Sequence, residues 1–269
     1  MRSIRTILVI LLAITVAAFC YTEIRKISTG REVGPVISCP EGVLEVSVND
    51  PESEYLKGIT AKDEQDGDIT DKLLVGGVSN LIKNNTAKVT YFVFDSDDNM
   101  SSCVRTIEYT DYKRPEIKVS SPLHFATGET ADIISKLTAF DHIDGDISDK
   151  VRISTLATTS HSQIYTVTAQ VTNSLGDTVR IDLPVIYRDS IADRPVIELK
   201  EQLVYVAKGE SFDPMEYVSD VTVRGESVDV SNIYIENETN TNEQGNYWVW
   251  YTYTNGDHEG ISVLTVVVR

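Results

Sequence analysis

The sequence predicts an all-β protein of three tandem β-sandwich domains that follow an N-terminal hydrophobic helix. Three observations lead to this prediction: a motif that recurs every 80 residues, strands of alternating apolar and polar residues that end in polar turns, and a length of 269 residues. That length suits two or three domains of about 100 residues each better than it suits one core. Val, Ile, Thr and Tyr are plentiful beyond the N-terminus, which favours strands over helices.

The N-terminal segment is predicted to export the chain. Arg2 and Arg5 precede an uncharged, largely apolar run over residues 6–22, and charged residues resume at Glu23. As a helix this run would span roughly 25 Å, between the length of a signal-peptide core and that of a membrane crossing. We interpret it as a single-pass membrane anchor, the only membrane contact, with the rest of the chain outside the cell. Cleavage after Ala18 followed by secretion is the alternative.

A repeat sets the predicted domain boundaries. Pro35-Val-Ile, Pro115-Glu-Ile and Pro195-Val-Ile each open an extended stretch, and 115 minus 35 and 195 minus 115 are both 80. Each stretch ends in a period-2 strand, a polar turn and a last strand. The predicted divisions are an N-terminal segment at 1–30 and domains at 31–112, 113–190 and 191–269.

An acidic motif occurs in the same register in the first two repeats. The two copies read Thr60-Ala-Lys-Asp63-Glu-Gln-Asp66-Gly-Asp68 and Thr138-Ala-Phe-Asp141-His-Ile-Asp144-Gly-Asp146. The third repeat keeps the opening proline and the closing hairpin, but Arg224 stands where an aspartate would be expected. The third domain is therefore predicted to keep the fold and to lack the acidic cluster.

The motif also carries a resemblance. The chain combines the motif Thr-Ala-x-Asp-x-x-Asp-Gly-Asp-Ile-Thr with a Tyr-rich strand and an Asp-x-x-x-Asn turn. This combination resembles the bacterial immunoglobulin-like surface repeats that are found beside crystal-toxin and cell-wall proteins. Those repeats are related to hyalin-repeat and cadherin-like sandwiches. The resemblance covers roughly residues 35–269 and implies an immunoglobulin-like sandwich outside the cytoplasm. It implies little about function, because such modules serve as spacers, adhesin stalks and enzyme appendages.

Two cysteines lie in the predicted first domain. Cys39 is in its first strand and Cys103 is in its last strand. The arrangement is similar to the hyalin-repeat variant of the fold, in which such a pair is disulfide-bonded, so the resemblance implies a bridge between them. Two buried thiols are the alternative.

The acidic turns leave two interpretations open. In this fold they lie near a domain joint, where several carboxylates could hold Ca²⁺. Aspartates beside glycine also form turns by accepting hydrogen bonds from their own backbone, with Lys113 and Arg114 near enough to neutralise them. The candidate Ca²⁺ ligands are Asp141, Asp144, Asp146, Asp177 and Asp111 in the second domain, and Asp63, Asp66, Asp68 and Asp95 in the first.

No pattern in the sequence indicates catalysis. The histidines are scattered, and the acidic motif occurs twice, whereas a catalytic constellation should occur once. We expect no enzyme activity and no cofactor other than the candidate Ca²⁺. A net charge of −17 would repel nucleic acid and anionic lipid, so neither is an expected partner of the folded part.

Two tryptophans are candidates for a contact surface. If Tyr247, Val249 and Tyr251 face the core, alternation places Trp248 and Trp250 on the outer face of the same sheet. Exposed aromatic pairs are typical of protein or sugar contacts. The alternative is that a neighbouring strand, loop or domain covers them.

These observations together predict a surface-displayed, non-catalytic repeat protein that acts as a stalk, a spacer or an adhesion-type binding module. An accessory glycan- or protein-binding subunit of a cell-wall-associated or secreted complex is the alternative. The expected partner is a protein or a glycan at the cell surface.

Overall fold

The structure is a computed structural model that describes residues 12, 14–21, 34–83, 85–154, 157–158 and 164–269. Most of the predicted N-terminal segment lies outside these residues, although residues 14–21 are helical. None of the described helices has both the length and the apolar character that a membrane crossing requires. The anchor therefore stays a prediction.

The described chain is built mainly of short β-strands, as predicted. Three successive sets of strands follow the same order, and we refer to them as the first, second and third repeat. The first repeat contains β1 (Val36–Ser38), β2 (Leu44–Val46), the helix α1 (Glu52–Tyr55), β3 (Thr60–Asp63), β4 (Gly67–Asp68), a 3-10 helix (Thr70–Lys72), β5 (Leu74–Val78), β6 (Thr86–Phe94) and β7 (Met100–Tyr109).

The second repeat has one more strand than the first. It contains β8 (Glu116–Val119), β9 (His124–Phe125), a 3-10 helix (Ile134–Lys136), β10 (Leu137–Asp141), β11 (Gly145–Asp146), a 3-10 helix (Ser148–Lys150), β12 (Arg152–Ile153), β13 (Ala157–Thr158), β14 (Ile164–Thr172) and β15 (Thr178–Tyr187). The third repeat contains β16 (Val196–Leu199), β17 (Leu203–Val206), a 3-10 helix (Pro214–Tyr217), β18 (Val218–Val223), β19 (Glu226–Ser227), a 3-10 helix (Val230–Asn232), β20 (Tyr234–Asn237), β21 (Gly245–Asn255) and β22 (His258–Val268).

Each repeat forms two sheets. The smaller sheets have the orders β1-β3-β4, β11-β10-β8 and β16-β18-β19, and the larger ones β2-β7-β6-β5, β12-β14-β15-β9 with β13 beside β14, and β17-β22-β21-β20. In every larger sheet the second strand of the repeat pairs in parallel with the last strand, while the last two strands form an antiparallel hairpin. This order is that of an immunoglobulin-like β-sandwich.

The alternation read from the sequence determines which side chains form each core. Val89, Tyr91 and Val93 of β6 are fully buried, and so are Val249 and Tyr251 of β21. The buried hydroxyl groups need acceptors. Tyr91 Oη donates to Tyr55 O at 2.7 Å, and Tyr251 Oη donates to Pro214 O at 2.8 Å, so the first and third repeats satisfy them in the same way.

Packing divides the chain into two compact units, residues 1–110 and 111–269. The division lies close to the predicted boundary at 112/113. The second and third repeats share the second unit, although each has its own main apolar cluster. A separate domain from 191 onward therefore stays a prediction.

Candidate functional site

The acidic turn of the second repeat is held together by hydrogen bonds to its own backbone. Asp141 is fully buried at the end of β10, and its Oδ1 accepts from the amides of Ile143 and Asp144, both at 2.9 Å. Its Oδ2 accepts from Asn173 Nδ2 at 3.1 Å. Gly145 closes the turn at φ +73°, a conformation that favours glycine.

The same turn is attached to the neighbouring turn of the sheet hairpin. Asp144 accepts hydrogen bonds from Ser174 N at 2.7 Å and Ser174 Oγ at 2.5 Å, and from Lys150 Nζ at 3.0 Å. Burial alone would raise the pKa of Asp144, but these hydrogen bonds outweigh it and lower the pKa below its usual value. Asp144 thus joins two loops as a carboxylate.

The acidic turn of the first repeat has the same geometry but is more exposed to solvent. Asp63 Oδ1 accepts from Gln65 N at 2.7 Å and Asp66 N at 2.9 Å. Asp66 accepts from Ser96 N and Ser96 Oγ, both at 2.7 Å, and from Lys72 Nζ at 3.4 Å. Hydrogen bonds from Ser96 are the main cause of the lowered pKa of Asp66.

The last aspartate of each motif orients the residue that starts the following 3-10 helix. Asp68 Oδ1 accepts from Thr70 N at 3.0 Å, and Asp146 Oδ1 accepts from Ser148 N at 2.9 Å. Ser148 Oγ in turn accepts from Ala139 N at 3.0 Å, and Thr70 Oγ1 does the same for Ala61 N. Hydrogen bonds from the hydroxyl residue lower the pKa of both aspartates.

The hairpin turns supply the remaining predicted ligands. Asp177 accepts from Arg114 Nη2 at 2.8 Å and from Tyr112 Oη at 2.9 Å, and these bonds outweigh burial and lower its pKa. Asp95 accepts from Asp97 N and from the backbone and side chain of Asn99. Asp111 is exposed at the start of the second unit.

The contacts of these carboxylates bear on the Ca²⁺ interpretation. The ion takes about six to eight oxygen ligands. Here the carboxylate oxygens accept hydrogen bonds from amides, hydroxyl groups and cations. Among the described residues no group of three or more His, Cys, Asp and Glu side chains is placed to hold a metal. The turn interpretation explains these contacts, and the Ca²⁺ interpretation stays a prediction.

The implied disulfide is present. Cys39 and Cys103 are bonded, with Cα atoms 6.6 Å apart and a sequence separation of 64 residues. The bond links the end of β1, in the smaller sheet, to β7, in the larger one. It therefore ties together the two sheets of the first repeat.

Trp248 and Trp250 lie on the outer sheet face, as alternation predicts, but they are not an exposed pair. Both are half-buried against an apolar cluster formed by Ile164, Ile186 and Val263, which are at most 5% exposed. Their rings meet edge to face with centroids 6.0 Å apart. The second repeat covers them, which is the alternative that the sequence left open.

This contact runs along β15. Asn246 Nδ2 donates to Arg180 O at 3.4 Å, Trp248 Nε1 donates to Asp182 O at 3.1 Å, and Arg188 Nη1 donates to Glu259 O at 3.2 Å. From position 180 to position 188 a strand extends about 26 Å. The second and third repeats therefore pack side by side over this length.

A second group of contacts joins β8 to β17. Tyr205 Oη accepts from Ile117 N at 2.8 Å and donates to Ile117 O at 3.0 Å. Leu203 is 6% exposed and belongs to the core cluster of the second repeat, although β17 is part of the third. The two repeats thus share polar and apolar contacts, which we call the joint.

A cavity of about 250 Å³ opens beside the joint. His124, Arg188 and Arg194 line it together with apolar side chains, including Ile191 and Ile261. Sequence reasoning missed this group because its members come from β9, from the segment after β15 and from β22, which only the joint brings together.

The first repeat has an exposed apolar face that sequence reasoning also missed. Leu74, Phe94, Met100 and Val104 are 55%, 42%, 54% and 56% exposed on the outer face of β5, β6 and β7. Phe94 pairs directly with Met100. The alternation that located the tryptophans could have indicated this face too.

Comparisons with known proteins give distant relatives. No protein-family profile matches the chain. It is 28% identical over 195 residues to the pesticidal crystal protein Cry22Aa of Bacillus thuringiensis, which covers 65% of this chain and 26% of that protein. It is 30% identical over 148 residues to an uncharacterized 81.3 kDa protein of Acholeplasma phage L2, covering 53% of this chain and 19% of the relative. The chain thus spans about a quarter or less of these relatives.

Solved structures are similar only at a low level. A structure of CBM51-2 in complex with GlcNAc and INT domains from Clostridium perfringens ZmpB has 21% identity and a TM-score of 0.23, covering 55% of this chain and 26% of that one. Drosophila N-cadherin EC1-4 has 12% identity and a TM-score of 0.24, covering 88% and 75%. At these TM-scores the likenesses carry no argument about function. The chain is an immunoglobulin-like β-sandwich protein by its own strand order.

Proposed function

We propose that this chain is a non-catalytic, extracytoplasmic binding module of the adhesion type, whose partner is a protein or a glycan at the cell surface. The observation that carries the proposal is the joint between the second and third repeats. It makes one body of two sandwiches and forms a cavity from residues of both.

The joint favours the role of a binding module over that of a long stalk or spacer. Neighbouring domains move relative to each other unless their interface is large and apolar. Here the Trp248–Trp250 pair and both hydrogen bonds of Tyr205 oppose such movement. Side-by-side packing shortens a stalk but holds a recognition surface in a fixed geometry, which lowers the entropy lost on binding.

The disulfide supports a location outside the cytoplasm. Bonds such as Cys39–Cys103 persist in oxidising compartments, whereas cytosolic reductants keep thiols reduced. The N-terminal apolar run would then serve for export, with membrane retention as part of the proposal.

The absence of catalysis in the proposal rests on how the acidic groups are used. The buried Asp141 and its counterpart Asp63 hold equivalent turns in two repeats. Side chains that occupy equivalent positions in two repeats and accept hydrogen bonds from their own loops have a structural role that explains their presence.

The second candidate is an accessory subunit of a larger complex. The observation in its favour is that the chain matches only 26% and 19% of the length of its two relatives. In those relatives the matching repeats are therefore parts of a longer protein.

Limited trypsin digestion and small-angle scattering of the full chain test the joint. In the Trp248→Thr, Trp250→Thr double variant we expect faster cleavage after Arg188 and a larger radius of gyration. The matched control is Tyr234→Thr, which changes an aromatic side chain of the same repeat that is 67% exposed. Digestion and scattering curves identical to those of the wild type would contradict a joint held by these rings.

Thiol trapping tests the compartment. Cells that express the full chain are treated with an alkylating reagent before lysis, and the states of Cys39 and Cys103 are read by mass spectrometry. We expect both to be protected as a disulfide. Alkylation of both in most molecules would contradict an extracytoplasmic location.

A further inference from the structure

The cavity beside the joint concentrates positive charge in an acidic protein. The chain carries 41 acidic and 24 basic residues, yet Arg188 and Arg194 both line this one cavity, against a single acidic lining residue, Asp189. Such local reversal of the overall charge attracts small anions against the field of the rest of the protein.

The charge of Arg188 is incompletely balanced. Its side chain is 19% exposed, and its Nη2 lies 3.9 Å from Oε2 of Glu259, a side chain that is 50% exposed. Its buried Nε has no hydrogen-bond partner among the described residues. A buried guanidinium with an unpaired N–H is costly, and a nearby anion would offset part of that cost.

The other charged groups near the cavity do not supply that anion. Asp189 also lines the cavity, but its carboxylate accepts from Thr127 N at 3.1 Å, and Arg194 Nη1 donates to its backbone oxygen. Asp193 is paired with Arg224. Burial is the main cause of the lowered pKa of Arg188; the neighbouring Arg194 lowers it further, and Glu259 opposes the change.

His124 adds a polar group without adding charge. Part of its surface opens to the cavity, but desolvation by the surrounding protein, together with Lys136 and Arg188, lowers its pKa to about 4. The ring is therefore neutral at pH 7 and available for a hydrogen bond.

We propose that this cavity binds the carboxylate of a small ligand that also has an apolar face, and that the carboxylate pairs with Arg188 and Arg194. Guanidinium groups suit carboxylates in this role. The apolar part of the wall, with Ile191 and Ile261, favours such a monoanion over inorganic phosphate. A volume of about 250 Å³ is below the roughly 300–1,000 Å³ of pockets for drug-sized ligands, so a single sugar acid or the last residue of a peptide fits its scale.

The inference rests on the proposed binding role, and its test separates the two sources of carboxylate. The full chain is titrated by calorimetry and ligand-observed NMR with glucuronate and N-acetylneuraminate, with neutral N-acetylglucosamine, with a tripeptide and its C-terminal amide, and with inorganic phosphate. Binding of the sugar acids assigns an acidic glycan, and binding of the free tripeptide assigns a peptide terminus. In either case the neutral counterpart should not bind.

Arg194→Gln is the test variant, and Arg180→Gln is its matched control. Arg180 is exposed on β15 outside the cavity and donates to Gln170 Oε1 at 2.8 Å. Loss of a charge-assisted contact should weaken carboxylate binding about tenfold or more in Arg194→Gln and leave it unchanged in Arg180→Gln.

Three results would overturn the inference: no carboxylate binds, Arg194→Gln binds as the wild type does, or phosphate or the amide binds as well as the carboxylate. Thermal unfolding of both variants controls for loss of structure. If carboxylates fail to bind while the trypsin test supports the joint, only this inference fails. A joint that proves mobile would overturn the proposed function itself.

Discussion

The first and third repeats show the same sheet face in two different environments. In the third repeat the second repeat covers Trp248, Trp250 and Val263, and Val263 is only 5% exposed. In the first repeat Met100 and Val104, on the equivalent face, stay more than half exposed. Alternation within a strand determines which way a side chain points, but the neighbouring element determines whether it meets water.

The two compact units are also stabilised differently. The first has the Cys39–Cys103 bond across its sheets, and the second has the joint. We therefore expect perturbations to act on one unit at a time, and the predictions below test that separation.

The largest effect is expected from the disulfide. Replacing both Cys39 and Cys103 by Ser should reduce the free energy of unfolding of the first unit by about 4 kcal/mol, because the unfolded chain gains loop entropy. Calorimetry should show one transition moving down while the other stays in place. Cys20→Ser, at the free cysteine, is the control. Equal shifts of both transitions would show that the units unfold together.

The two acidic turns should differ in their response to the same substitution. Asp141→Ala leaves two backbone amides and Asn173 Nδ2 without their acceptor in a buried site, at a cost of about 3 kcal/mol to the second unit. Asp63→Ala should cost about 1 kcal/mol, because water reaches this half-buried turn. Denaturant unfolding measures both. Equal costs would mean that burial does not distinguish the turns.

Tyr205→Phe should weaken the joint without enlarging any cavity. The change removes the acceptor of Ile117 N and the donor to Ile117 O, and should cost about 2 kcal/mol in the second unit only. Hydrogen exchange of the Ile117 amide should speed up. Tyr234→Phe, at an exposed tyrosine, is the control, and unchanged exchange in Tyr205→Phe would contradict the contact.

Acid should weaken the contact made by Asp177. Arg114 and Tyr112 lower the pKa of Asp177 in the folded state, so its contribution is present above the unfolded value of about 3.8 and is lost as the pH falls through the folded value. Arg114→Gln should raise this pKa, measured by NMR titration of the carboxyl. At pH 7 the variant should lose less than about 1 kcal/mol, because Arg114 is 59% exposed. An unchanged pKa would contradict the pairing.

The smallest effect is expected on the open face of the first repeat. Met100→Thr and Val104→Thr should change the free energy of unfolding by less than about 0.5 kcal/mol, since both side chains are already largely in water. Val263→Thr, at the covered counterpart of the third repeat, should cost more than about 1 kcal/mol. Similar losses at Val104 and Val263 would mean that the first repeat's face is covered as well.

Most of the fold could be predicted from local pattern. The prolines 80 residues apart, the alternation in β6, β14 and β21, and the Asp-x-x-Asp-Gly-Asp turns are properties of short stretches, and short stretches determine strands and turns. The disulfide followed from a resemblance to a family, since spacing alone does not give a pairing.

The sequence by itself thus determined the strands, their order, the positions of the acidic turns and the direction in which Trp248 and Trp250 point. Only the tertiary structure decided that the second and third repeats pack side by side, that the tryptophans are covered, and that Arg188, Arg194 and His124 meet in one cavity. The reason is physical: a strand pattern reports on contacts within a sheet, whereas the joint depends on two surfaces far apart in the chain whose shapes must match.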